Sequence, residues 1–172
     1  MSDSRHSIHE EIAEIFNAAL PLNYILIKDE ACGGKQHIPL FCTAKKSRET
    51  EYCNVDLLVL KEKKIRIIVE IEESNVKPTQ ICGKFLTSAL ASHYIYSSMK
   101  NEPVGMDDPA TFIQIVDTSK LVKERTSKYK QWKALEASIN KIIPLKNSKI
   151  AKYKLFTTDE KSELTQFIKE II

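Results

Sequence analysis

Two apolar runs separated by four charged residues constrain this chain more than any other feature. Tyr52 to Leu60 reads as one strand and Ile65 to Ile71 as another, with Lys61-Glu62-Lys63-Lys64 between them. Four residues leave no room for a crossover helix, so the strands are expected to pair as an antiparallel hairpin. In a strict hairpin about that turn, Asp56 faces Val69 and lies next to Glu70; a shift of one residue in register stays open.

The hairpin carries three acids whose placement is informative. Side chains alternate along a strand, so Glu70 and Glu72 project to the face of Ile68, while Val69 and Ile71 point the other way. Asp56 interrupts a run that is otherwise apolar from Val55 to Leu60. An acid there is costly unless it sits at an opening or is neutralised by a cation. Three carboxylates near one strand end repel each other, and a divalent cation with oxygen ligands relieves that repulsion. Mg²⁺ typically uses one or two carboxylates together with waters and phosphate oxygens. A metal so held lowers the pKa of a bound water and stabilises charge growing on a phosphodiester. Each acid alone is more ordinarily a solvated or satisfied side chain, and only their combination on one hairpin points to a metal site.

The remaining elements surround this hairpin. Ser7 to Leu20 has the helical spacing Ile8, Ile12, Ile15, Phe16, Ala19, with Ser7 and Glu10 as a capping box and Pro21 as its stop. Tyr24 to Ile27 suits a short strand, Cys32-Gly33-Gly34-Lys35 a turn, and Ile38 to Thr43 a strand. Pro78 opens a helix expected to run to about Ser97, with Ile81, Phe85, Leu86, Ala89, Leu90 and Tyr94 as its apolar stripe. Thr111 to Val116 follows as a short strand, Ser119 to Ile143 as a long helix, Ile150 to Thr157 as a strand and Asp159 to Ile172 as a last helix. The expectation is one α/β domain over residues 1–172: a mixed sheet flanked by helices, with a core of about 7–117 in αβββαβ order and a helix-strand-helix extension over 118–172.

Composition narrows the class further. No apolar stretch nears the ~20 residues that span a bilayer, and Met1 to Arg5 is polar, so a cytoplasmic, intracellular protein is expected. The four cysteines form no C-x-x-C pair, which favours reduced, buried thiols over a zinc cluster. The net charge of +3 is unevenly spread: Ser119 to Lys154 holds eleven Lys/Arg against two glutamates. That segment offers either a face for a polyanion or a solvated helix surface.

Asn54-Val55-Asp56, the short hairpin, Glu70-Ile71-Glu72 and the following helix resemble the PD-(D/E)XK nuclease superfamily, the restriction-endonuclease-like fold. That superfamily's core is a helix, a three-strand meander, a helix and a fourth strand, the order expected from Ser7 to Val116. Val55 stands where the motif has proline, and Glu72 where it usually has lysine. By resemblance, Asp56, Glu70 and the backbone carbonyl of Ile71 bind Mg²⁺, or Mn²⁺ in its place. Glu72 binds metal or orients and deprotonates the attacking water, and a glutamate of the first helix, Glu11 or Glu14, joins them.

A lysine from elsewhere can replace the missing one; Lys35 and Lys84 are the candidates, although a solvated surface lysine is the ordinary reading of each. Lys45, Lys46 and Arg48 precede the Asp56 strand and suit phosphate contacts. Lys120, Lys123, Lys130 and Lys133 would extend them, while Trp132 is read as core and the histidines as structural. The resemblance implies a Mg²⁺-dependent endodeoxyribonuclease acting on double-stranded DNA, with a homodimer suiting cleavage of both strands. A silent nuclease-fold module that binds DNA or assembles with partners is the alternative, and Glu72 is its support.

Overall fold

A computed structural model describes residues 7–72, 75–121 and 125–172, the side chains of residues 125 and 126 excepted. The chain folds into a mixed α/β structure: an eight-stranded sheet with two helices on each face. In chain order the elements are α1 (Ile8–Ala19), β1 (Tyr24–Lys28), β2 (Pro39–Phe41), β3 (Glu51–Asn54), β4 (Leu57–Lys61), β5 (Lys64–Glu72) and α2 (Pro78–Leu90). They continue with β6 (His93–Tyr94), β7 (Val104–Val116), α3 (Arg125–Ile142), β8 (Ile150–Thr157) and α4 (Lys161–Ile171).

The meander is β1-β4-β5, all antiparallel, and β7 then adds parallel to β5 after the α2 crossover. Parallel neighbours need such a crossover, and this one is supplied by a helix. β8 extends the sheet parallel to β7, which makes the C-terminal segment part of the same sheet. The strands β3, β2 and β6 form a side leaf attached to the first residues of β7. No helix among the described residues is long and apolar enough to cross a membrane.

Two layers of core explain the continuous apolar runs. A strand covered on both faces reads as unbroken hydrophobic sequence rather than alternating sequence. Leu57, Val59, Ile67, Val69 and Ile113 pack under α1 and α4 with Ile12, Phe16, Leu164 and Ile168. Leu58, Leu60, Ile68, Phe112 and Tyr153 pack under α2 and α3 with Ile81, Phe85 and Trp132. Trp132 is fully buried, as core packing requires. All four cysteines are free thiols.

Three expectations are corrected. The run Tyr52 to Leu60 is two strands, because the chain leaves the side leaf at Val55-Asp56 and enters the main sheet. Val55 N–H still donates to Ile38 O at 3.1 Å, whereas Asp56 N–H donates to Val69 O at 3.3 Å. The second helix stops at Leu90 rather than near Ser97. Tyr94 pairs as a strand residue with Leu40 on one side and Val104 on the other, where its ring is fully buried. The strand expected at Thr111 begins at Val104 and runs through Pro109, whose missing N–H falls where the pairing to β5 shifts register. The beginning of the expected long helix, with Lys123, lies partly outside the described residues.

Candidate active site

The hairpin turn sets the register of the site. Glu62 and Lys63 both adopt positive φ (49° and 58°), the geometry of a two-residue type I′ turn. A register irregularity between Val59 and Leu60 then shifts the pairing by one residue, so that Leu57 faces Val69. Just before β4, Asp56 N–H donates to Val69 O at 3.3 Å, which keeps Asp56 beside Val69 and next to Glu70. The chain enters β4 here, and the Asp56 carboxylate turns back onto β5. Its Oδ2 accepts the Ile71 N–H at 2.6 Å.

Glu70 and Glu72 project to the α2 face, as their alternation with Ile71 demands. α2 crosses that face and delivers Lys84 between them. The Lys84 ammonium lies 2.9 Å from Glu70 Oε2 and 3.3 Å from Glu72 Oε1. Glu72 Oε1 also accepts from Gln114 Nε2 at 3.2 Å. Glu70 and Glu72 are both buried, and Lys84 is half-buried. His9, Asp56, Ile71, Glu72, Val76 and Lys84 are among the residues lining a cleft of about 450 Å³ at this strand end.

Electrostatics follow from that burial. Removal from water pushes the Glu70 carboxyl up to about 8, with Asp56 and Glu72 adding to the rise and Lys84 opposing it. Asp56 is also raised by burial, against the Ile71 hydrogen bond and the nearby Lys84 and His9. Burial works against the Lys84 ammonium, yet Glu70, Glu72 and Asp56 together raise its pKa. The Lys84 ammonium pairs with Glu70 and Glu72 and feels Asp56 at longer range, so three carboxylates lie about one ammonium. A buried site in that state takes up protons or cations.

The sequence-derived candidates separate in space. Asp56, Glu70, Ile71, Glu72 and Lys84 come together. Glu11 does not join them: its carboxylate is paired with Lys161 of α4, and it is His9 of α1 that lines the cleft. Glu14 is exposed on α1. Lys35 is exposed beside the outer edge of β1, in a different depression lined by Ile25, Ile27 and Met99. Of the two lysines proposed as substitutes, Lys84 is therefore the one beside the acids. Lys45, Lys46 and Arg48 are exposed on the β2–β3 loop, where Lys46 donates to Asn101 Oδ1 at 3.3 Å and stands over the Tyr96 ring.

In α3, Lys133 is committed to the fold, donating to Leu155 O at 2.9 Å and pairing with Glu160 at 3.4 Å. Two residues of the site escaped sequence reasoning. His9 carried no distinguishing signal, whereas Gln114 did: it is a lone polar side chain in the apolar run Phe112 to Val116.

Among the described residues, no group of three His, Cys, Asp or Glu side chains is arranged to hold a metal ion. The donor set nevertheless fits a hard cation, because Mg²⁺ needs only one or two carboxylates when carbonyl, water and phosphate oxygens complete its shell. Asp56, Glu70 and the Ile71 carbonyl would supply the protein's share. The oxygen donors that Asp56 and Ile71 bring to the lining of the cleft, with Glu70 beside them, are the observation that supports this fit.

Compared with protein-family models, curated proteins and solved structures, the chain matches none.

Proposed function

We propose that this protein is a metal-dependent endonuclease that hydrolyses DNA phosphodiester bonds, built on a restriction-endonuclease-like core. The observation that carries the proposal is the convergence of Asp56, Glu70, Glu72 and Lys84 at one strand end of the β4-β5 hairpin. The order α1, β1-β4-β5 meander, α2, β7 supports it, because that superfamily has the same succession of elements. The leaf β3-β2-β6 and the segment α3-β8-α4 are then additions to the core.

Mg²⁺ or Mn²⁺ held by Asp56, Glu70 and the Ile71 carbonyl would supply Lewis-acid polarisation of the phosphate and an acidified water. Glu72 would accept the proton of the attacking water. The water oxygen would form the new P–O bond while the bond to the leaving sugar oxygen breaks, that oxygen taking up a proton from solvent, with no covalent enzyme intermediate. Lys84 provides the positive charge that a lysine on β5 would otherwise provide. From the mouth of the cleft it faces the negative charge that grows on the phosphoryl oxygens. Lys45, Lys46 and Arg48 would hold the duplex by its backbone without reading its sequence.

A catalytically silent DNA-binding module is favoured by one observation: Lys84 already bridges Glu70 and Glu72, which lessens their need for a metal. Plasmid and oligonucleotide substrates incubated with Mg²⁺ or Mn²⁺, beside Asp56→Ala and Glu70→Ala proteins, separate the two. Cutting that needs metal and both acids supports the nuclease. Intact DNA under every condition, with DNA binding retained, supports the silent module.

A further inference from the structure

Glu72 is held from behind by two residues that do not reach the cleft. Gln114 of β7 is fully buried and faces Glu70 in the parallel register, so its side chain points to the α2 face beside the two glutamates. Its Nε2 donates to Glu72 Oε1 at 3.2 Å, and its Oε1 accepts the Tyr153 hydroxyl at 2.6 Å. Tyr153 of β8 is in turn locked in an aromatic cluster. Its ring stacks on Phe112 at 5.9 Å and meets the edge of Phe85 at 5.3 Å. Phe85 adjoins Lys84 on α2, so one cluster anchors both the relay and the helix that delivers the ammonium.

The direction of this relay is fixed by its donors and acceptors. A carboxylate only accepts, so Gln114 must turn its NH₂ toward Glu72. The flipped amide would set a carbonyl oxygen against the carboxylate and leave its buried NH₂ facing the phenol. The carboxylate therefore fixes the amide, and the Tyr153 hydroxyl, which can donate or accept, donates to the amide oxygen that this leaves. Among the described residues, the contacts on Glu72 from Gln114 and Lys84 both fall on Oε1. Oε2 is thus left to the cleft that Glu72 lines.

We propose that Gln114 and Tyr153 are positioning residues that tether Glu72 Oε1 and so present Oε2 to the attacking water. This role rests on the nuclease reading of the cleft. The relay itself does not, and the two can be tested apart.

The side-chain amide of Gln114, followed by ¹H–¹⁵N NMR in the whole protein, reports the relay without any activity. In the wild type its two protons should be shifted from free-amide positions and exchange slowly with water. Glu72→Gln and Tyr153→Phe should each move them. An amide with free-solvent shifts, unmoved by Glu72→Gln, overturns the relay whether or not Tyr153→Phe folds. For catalysis, loss of such an outer support typically costs roughly ten- to a hundredfold in activity. Tyr153→Phe and Gln114→Leu should lower kcat by that factor with KM unchanged. Unchanged kcat, or a rise confined to KM, overturns the positioning role. If the wild type cuts no DNA under any metal, the nuclease reading and the positioning role fall together, while the amide resonances still decide the tether.

Discussion

The Lys84 ammonium lies 2.9 Å from the Glu70 carboxylate, joining the first helix turns after the hairpin to the hairpin's buried acid. Lys84 is 40% exposed and Glu70 only 2%, so the two partners stand to lose differently when separated. Without the ammonium, Glu70 is left buried beside Asp56 and Glu72 with no counter-charge.

Lys84→Met should therefore destabilise the protein. Breaking a fully buried pair costs ~3–5 kcal/mol, and the partial exposure of Lys84 reduces this to about 1–3 kcal/mol. Urea unfolding above about pH 8, where Glu70 is ionised, measures the loss. Metal-dependent cleavage by the same variant should drop by about two orders of magnitude, as for removal of one donor to a developing charge. Lys84→Arg should recover most of the stability.

The raised Glu70 carboxyl makes stability depend on pH in an unusual direction. Its ordinary value is 4.5 and its folded value about 8, so the native state binds the proton more tightly than the unfolded chain. Stability is then highest below about 4.5 in this group's contribution, and falls as pH rises through about 8. Thermal unfolding between pH 5 and 9 should show that fall in metal-free buffer. Mg²⁺ should flatten it, because a bound cation replaces the proton, and Glu70→Gln should abolish it.

Lysines of the basic segments should divide into contacts and supports. Lys45 and Arg48 are exposed on the β2–β3 loop, whereas Lys133 is spent on Leu155 and Glu160. Each lost phosphate contact reduces the slope of log K against log salt by about 1. DNA affinity titrated across salt should show Lys45→Ala with Arg48→Ala shallower by about 2. Lys133→Ala should leave the slope unchanged and lower the melting temperature instead.

How much of this was legible in the sequence depends on which residues are asked about. Asp56, Glu70 and Glu72 announced themselves because a charge inside an apolar run has few stable placements. The same rule applies to Gln114, but an uncharged amide in an apolar run signals a special placement less strongly than a carboxylate does. The one-residue register difference came from the irregularity between Val59 and Leu60, which no alternation pattern marks when both faces are buried. The break at Asp56 was hidden for that reason too: Val55 to Leu60 reads as one strand although it bridges two parts of the sheet. Helical face alone favours Glu11, yet α4, distant in sequence, claims it through Lys161. Tyr94 kept helical spacing while its backbone was drawn into pairing with Leu40 and Val104.

The turn that sets the register offers a stability test independent of the site. Glu62 and Lys63 hold positive φ without being glycine or asparagine. Asn and Gly are the residues preferred at these two places in a type I′ turn. Glu62→Asn with Lys63→Gly should raise stability by about 1 kcal/mol. Denaturant midpoints should shift upward while cleavage stays at the wild-type rate.

A nuclease at this cleft requires that its acids hold a catalytic metal. Crystals soaked with Mn²⁺ and measured at its absorption edge test this directly. An anomalous peak bounded by Asp56, Glu70 and the Ile71 carbonyl, and lost in Asp56→Ala, is the expected result. A cleft with no peak at saturating Mn²⁺, and with Lys84 still seated on Glu70, would contradict it.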